Sequence, residues 1–353
     1  MSGPTRRGNG RLTSKRKETD MQDHALRGSR RAFLASALAG GAALALNRGA
    51  AAAPAYPARP ITVVVPYAPG GNLDITGRAI TSAMGAIMHA SFVIDNRPGA
   101  GGVVGHELVA RAQPDGYTLI VTANGSFAYA PRLVHGSKPF KPADFAPIGY
   151  MAETPLVLEV PARSRYASYQ EFIAAAKAAP GKISIGHSGN GTTNHIAILL
   201  LEKATGARFN IIPYKGSGPG LNDLLGGQLD AFVDQLPSSL PHLKAGNLKP
   251  LAMTSASRAS DLPQVRTLQE LGVAGFDVTT TAGLMAPAGT PPAIIAQLNQ
   301  VLNQALGQAD VKQKMANLGS TVKQGSAAEF TAYLASEDKK GEQLASEGLL
   351  RAG

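Results

Sequence analysis

The chain reads as an α/β protein of two lobes, each a mostly parallel sheet flanked by helices, with a ligand cleft between them. Three observations predict this. Short β-branched runs alternate with capped, amphipathic helices along most of the chain, the pattern of βαβ units with right-handed crossovers. Without a 55-residue leader the 353 residues leave 298, more than one hydrophobic core usually supports. Two extended segments, near Met151–Val160 and Val278–Met285, interrupt the alternation where a chain would pass between lobes. They divide the sequence into lobe 1, residues 56–157 plus 277–353, and lobe 2, residues 158–276. Two connecting strands make a hinge, and the cleft beside it is the default binding site.

The leader comes first. Ser29-Arg30-Arg31-Ala32-Phe33-Leu34 opens an Ala/Gly-rich apolar run from Ala35 to Leu46, and Ala51-Ala52-Ala53-Pro54-Ala55 follows it. A basic segment, a short apolar segment and a small-residue cleavage site make a secretory signal, and the paired arginines match the twin-arginine kind. The apolar run is about a dozen residues, too short to cross a bilayer ~30 Å thick. Cleavage is expected after Ala55, with residues 1–20 an upstream extension and Met21 an alternative start. The product is expected to be soluble and periplasmic, delivered by the twin-arginine export machinery, and monomeric.

The leader also explains the charge. Of 34 basic and 24 acidic residues, ten and three fall in residues 1–55, so the net charge of +10 drops to +3 for the remainder. The remaining cations are scattered, which argues against a nucleic-acid face. A hydrophobic content of 44% suffices for burial, and the absence of cysteine excludes disulfides, thiolate catalysis and Cys-ligated zinc.

The elements then follow in order. Ile61-Thr-Val-Val-Val-Pro66 is a strand buried on both faces. After the turn at Tyr67–Leu73, a helix is expected from Asp74 to about His89, then strand Phe92–Asp95, helix Val103–Ala112 and strand Thr118–Ala123. Leu156–Val160 is a strand, and Ser168-Tyr-Gln-Glu171 is a capping box opening a helix that ends near Gly181. Strand Lys182–Gly186, helix Thr193–Thr205, strand Phe209–Ile212, a helix near Leu221–Leu225, and strands Leu229–Val233 and Lys249–Thr254 complete the second lobe. Thr267-Leu-Gln-Glu270 reads as a capped short helix. Thr290 is expected to cap a helix carrying Ile294, Leu298, Val301 and Leu302 on one stripe, and Ser326-Ala-Ala-Glu329 to cap the last helix.

Loops beyond the C-terminal ends of strands are where open α/β sheets bind ligands. Four share one chemistry: Pro69–Asp74, Asn124-Gly125-Ser126, Ser188–Thr193 and Pro213–Gly218. Their glycines let backbone N–H groups approach a ligand, helix N-termini carry about half a positive charge, and Ser and Thr add hydroxyls. Each alone is an ordinary turn with a helix cap; together they describe a site for a carboxylate. Asp74 is open between capping its helix and reading the ligand, and Asp234 is weighed the same way. His195 is open between the cleft and a structural place on its helix. No catalytic residue, metal ligand or cofactor site is expected. Gly99–Gly105 fails the dinucleotide fingerprint at Val104, Gly186–Asn190 fails the nucleophile elbow at Asn190, and no phosphate loop is present.

Tyr56-Pro-Ala-Arg-Pro-Ile, Val-Val-Pro-Tyr-Ala-Pro-Gly-Gly-Asn-Leu-Asp74, Asn96-Arg-Pro-Gly-Ala-Gly-Gly102, Pro114-Asp-Gly-Tyr-Thr-Leu119, Ser188-Gly-Asn-Gly-Thr192 with His195, Pro213-Tyr-Lys-Gly-Ser-Gly218 and Ala286-Pro-Ala-Gly-Thr-Pro291 resemble the Bug (Bordetella uptake gene) family. These are periplasmic solute receptors of tripartite tricarboxylate transporters. The resemblance implies a type II periplasmic-binding-protein fold that closes on a small carboxylate, delivered to the transporter's membrane subunits or read by a sensor protein. It implies contacts from Tyr67, Gly70, Gly71 and Asp74 on lobe 1 and Ser188, Gly191, Thr192 and Thr193 on lobe 2. Ser126, His195, Tyr214 and Asp234 complete the candidate set, with Tyr67 offered as an extra hydroxyl donor. The alternative is a periplasmic hydrolase on the same fold, using Ser188 and a histidine.

Overall fold

A long strand, Phe145–Pro161, ties the molecule together. In this computed structural model, which describes residues 1–3, 56–134 and 139–350, one sheet runs through the protein. Its strands are β1 (Ile61–Val65), β2 (Phe92–Asn96), β3 (Thr118–Ala123), β4 (Phe145–Pro161), β5 (Ser184–His187), β6 (Asn210–Pro213), β7 (Ala231–Gln235), β8 (Leu248–Met253), β9 (Thr279–Pro287) and β10 (Thr321–Val322). The order is β2-β1-β3-β9-β4-β7-β5-β6, with β8 and β10 also paired to β4. Parallel pairs occupy both ends, while β9 and β4 are antiparallel to their neighbours. The first part of β4 pairs with β9 up to Pro155↔Thr279, and the part from Leu156 onward pairs with β7 and β8. One strand therefore serves both halves.

Nine helices among the described residues cover the sheet: α1 (Asn72–Met88), α2 (Val103–Ala110), α3 (Tyr169–Ala178), α4 (Thr193–Thr205), α5 (Ser217–Gly226), α6 (Leu236–Lys244), α7 (Pro292–Gly307), α8 (Ala309–Asn317) and α9 (Ala327–Ser346). The apolar side chains gather separately. Ile61, Val63, Val65, Leu119 and Val121 pack with Ile80 and Met84 of α1 and Leu298 and Leu302 of α7. Leu158, Ile185 and Val233 pack with Phe172 of α3 and Ile198 of α4. Ser168 and Ser326 accept hydrogen bonds from the N–H groups of Glu171 and Glu329; Ser326 and Glu329 complete a capping box, whereas Glu171 accepts from Ala167 N–H instead of Ser168 N–H.

Several expectations need correction. β4 is much longer than Leu156–Val160, because register shifts at Pro147/Gly149 and Tyr150/Ala152 absorb residues that read as turns. The expected helix after Thr267 is a series of turns, although Thr267 and Glu270 exchange both capping hydrogen bonds. Thr290 does not cap α7; its hydroxyl donates to Pro287 O, and Pro291 stands at the N-cap. Helices α6 and α8 were not foreseen. The signal peptide, its cleavage site and the alternative start fall within residues 1–55, outside the described residues apart from 1–3. Among the described residues no helix is long and apolar enough to cross a membrane.

Candidate functional site

Four helices point their N-termini into one place. Gly71, Asn72 and Leu73 at the start of α1, Thr192, Thr193 and Asn194 at the start of α4, Ser217 at the start of α5, and Gln235 just before α6 line one cavity with Tyr67, Ala123, Ser126, Ser188 and Thr280. The parallel strands dictate this, because β1, β5, β6 and β7 all end on this side and each hands the chain to a helix. Gly71, Gly216 and Gln235 supply no side-chain cap, so first-turn N–H groups stay available to whatever fills the cavity.

The site is also tightly shut. Ala68 N–H donates to Lys215 O at 3.1 Å, and Thr193 Oγ1 donates to Asn124 Oδ1 at 3.1 Å, joining the two halves directly. Gly125 lies against the backbone of Thr192 and Thr193, and Gly191 (φ 77°) lies against Ala130, so no side chain fits at either point. The cavity is about 20 Å³, a little above the space one ordered water requires. Thr279 and Thr281, which alternate with Thr280 on β9, face a separate groove of about 730 Å³.

Asn72 is the most telling side chain. It is 3% exposed, its Oδ1 accepts from Thr76 Oγ1 at 3.3 Å, and its Nδ2 has no protein partner. A buried amide donor left without an acceptor costs about 1–3 kcal/mol, so this side chain is a candidate contact for whatever fills the cavity. No lysine or arginine lines this cavity. An anion there meets dipoles and N–H groups rather than a cation.

Of the residues singled out from the sequence, Tyr67, Gly71, Ser126, Ser188, Thr192 and Thr193 line the cavity; Gly70, Asp74, Gly191, His195, Tyr214 and Asp234 do not. Asp74 spends its carboxylate within its own loop, accepting from Gly70 N–H, Arg78 Nε and Asn96 Nδ2 at 3.0 Å each. Burial pushes its carboxyl up, but Arg78, Gly70 and Asn96 outweigh this and hold it below the usual carboxylate range. It is an anchor for the α1 N-terminus. Asp74→Asn is therefore expected to cost about 1 kcal/mol in urea unfolding and leave acid affinity unchanged in calorimetry. Lost affinity with intact stability would contradict this.

Tyr214 is likewise occupied: its hydroxyl donates to Asp223 at 2.8 Å. His195 Nδ1 accepts from Gly191 N–H at 3.1 Å, and its ring stacks on His187 with 4.5 Å between centroids. Tyr67 is not the free hydroxyl donor it was expected to be, because its O–H donates to Gly101 O at 3.0 Å. Sequence reasoning missed Asn72, Ser217, Asn194, Gln235 and Thr280. Asn72 and Ser217 sit inside the loops it selected, at the first helical positions, and that position was the available signal.

Asp234 lies just behind the cavity wall. It is fully buried and accepts hydrogen bonds from Ser217 and Ser238, and the Ser239 hydroxyl lies between it and the buried Glu159, 3.1 Å from Asp234 Oδ2 and 2.6 Å from Glu159 Oε1. Burial pushes the Asp234 carboxyl up to about 6, and burial beside Asp234 raises Glu159 well above its ordinary value. An acid whose pKa is higher folded than unfolded takes up its proton in the native state first, so it adds stability as pH falls from 6 toward 3.8. Buried His106 and half-buried His195, held down to about 4, and buried His187 act oppositely, since the unfolded chain protonates them first. Between pH 7 and pH 5, Asp234→Asn should lose about 1 kcal/mol more stability than the parent chain. Parallel pH profiles of the two proteins would contradict this.

A family described as tripartite tricarboxylate transporter receptors matches residues 76–349. The chain belongs to this family. BugT of Bordetella pertussis is 37% identical over 267 residues, covering 75% of this chain and 82% of BugT. Among solved structures, Rpa4515 of R. palustris with adipate is 34% identical with a TM-score of 0.79, covering 82% of this chain and 97% of that one. MatC from Rhodopseudomonas palustris with bound malate is 32% identical with a TM-score of 0.78, covering 82% and 99%. The fold is thus the two-lobed one of periplasmic binding proteins, and in this tripartite tricarboxylate transporter receptor four helix N-termini share one cavity.

Proposed function

We propose that this receptor is a soluble periplasmic protein that closes over the carboxylate of a small acid and delivers it, unchanged, to the membrane subunits of a tripartite tricarboxylate-type transporter. One observation carries the reading: four helix N-termini and the unpartnered Asn72 amide share one buried cavity that no cation lines. That donor set suits a carboxylate, and the relatives with adipate and malate agree with it. Residues 56–157 plus 277–353 form one lobe and 158–276 the other, with β4 and β9 as the hinge strands. The twin-arginine leader delivers the folded chain to the periplasm.

A hydrolase is disfavoured by where hydrogen bonds go. Ser188 Oγ donates to Asn194 Oδ1 at 2.8 Å, so its proton is held by an amide oxygen rather than by a base, while the Nδ1 atoms of His187 and His195 bond to the backbone at Gly189 and Gly191. A role as ligand sensor would use the same cleft. Thermal melting of the purified mature chain with di- and monocarboxylates tests the receptor reading. An acid at a hundred times its Kd should add about 2.7 kcal/mol and be recovered intact. Consumption of the acid, abolished in Ser188→Ala, would favour the hydrolase.

A further inference from the structure

Resting on the receptor reading, the directions of the hydrogen bonds around the cavity say more about the ligand than its charge. A hydroxyl carries one proton, and where that proton goes is decided wherever its partner can only accept. Ser217 Oγ donates to the Asp234 carboxylate, Ser188 Oγ to Asn194 Oδ1, Thr193 Oγ1 to Asn124 Oδ1, Thr192 Oγ1 to Gly189 O and Ser126 Oγ to Ala123 O. The amide orientations are fixed independently: Asn194 Nδ2 donates to Val233 O, and Asn124 Nδ2 donates to Thr279 O. Thr280 alone accepts, from Gln235 Nε2, without donating to a protein group.

Thr192 and Ser126 also accept, from His195 N–H and Ala123 N–H, which leaves Ser188 and Ser217 as hydroxyls whose protons are committed and whose lone pairs are not. Ser188 and Ser217 accept nothing from the protein among the bonds formed here. Ser217 lies across from α1, its Cβ 3.6 Å from where a Cβ on Gly71 would sit. Acceptors from lobe 2 and the N–H donors of α1 thus meet inside a cavity of about 20 Å³. A carboxylate, which only accepts, satisfies the N–H groups but not these lone pairs.

We propose that the ligand of this receptor carries a hydroxyl or ammonium donor within a bond or two of the bound carboxylate, accepted by Ser217 and Ser188, and that the receptor discriminates against the unsubstituted acid. Asp234 is a positioning residue here: by holding the Ser217 proton it keeps that hydroxyl an acceptor.

The test is calorimetry of the mature chain against matched acids that differ only in this donor: succinate, malate and aspartate; glutarate, 2-hydroxyglutarate and glutamate; propionate, lactate and alanine. In whichever series binds, a donor-bearing member should bind at least ~10-fold tighter than the unsubstituted acid, because a site built to accept a proton rejects an analogue lacking it. Ser217→Ala should shrink that ratio, and Ser188→Ala provides an independent second case. Unsubstituted acids binding as tightly as their substituted partners would overturn this inference while leaving the carboxylate receptor standing. Silence in all three series would count against the receptor reading itself, and against this inference with it.

Discussion

Asn72→Asp is expected to abolish binding of the acid while leaving the protein folded. The substitution keeps the size of the side chain but replaces the unpartnered Nδ2 donor with a second carboxylate oxygen. A hydrogen bond to a charged group contributes about 1.5–3 kcal/mol, and that contribution vanishes. A negative charge then faces the ligand's own at contact distance, costing a further ~1–4 kcal/mol at the effective dielectric of a protein site. Together these weaken affinity by ~70-fold or more. The helix dipole at the first turn of α1 offsets part of the cost of burying this charge, so the protein should stay folded with some loss of stability. Calorimetry with the acid that binds the parent chain, alongside urea unfolding, separates the two effects. Affinity within about threefold of the parent would mean that Asn72 does not touch the ligand.

Gly125→Ala should block closure, and its signature differs. A Cβ at Gly125 would meet the backbone of Thr192 and Thr193 from the other lobe, atoms that no rotamer change can move. Gly125 has no left-handed φ, so alanine fits its own backbone and an open molecule should be as stable as before, or more so by about 0.4–1 kcal/mol. The closed state alone suffers an overpacking cost of roughly 1–3 kcal/mol, which appears as a ~10- to 100-fold weaker Kd. Small-angle scattering should show less compaction on adding the acid than in the parent chain. Parent-like affinity and compaction would mean that the lobes do not close as tightly in solution as the contacts at Gly125 require.

Much of the fold was legible because local and global signals agree. β1 is a continuous β-branched run and β3 a mostly β-branched one, both buried on both faces, and α4 and α9 begin at side chains that cap them. β4 was only partly legible, since Pro147, Gly149 and Pro155 read as turns and only pairing with β9 makes them strand. Helix α6 was hidden for a similar reason: Pro237 occupies its first turn, where proline is tolerated, while Pro241 looks like a stop signal. With α6 unseen, Gln235 at its start could not enter the site. The loops that form the cavity were recognisable by composition, yet which residues face inward was not. Asp74 and Tyr214 sit in the right loops but bond to their own surroundings, whereas Asn72 and Ser217, each within a few residues of them, face the cavity. Direction of hydrogen bonding, which turns apparent hydroxyl donors into acceptors, is a tertiary property that spacing does not encode.

A crystal structure of the mature chain with its tightest-binding acid tests the central claim most directly. The account predicts carboxylate oxygens within about 3 Å of Asn72 Nδ2 and of backbone N–H groups at the starts of α1 and α5, with no lysine or arginine in contact. A carboxylate seated instead in the groove beside Thr281 and Glu337, paired to Lys203, Lys323 or Lys340, would contradict it.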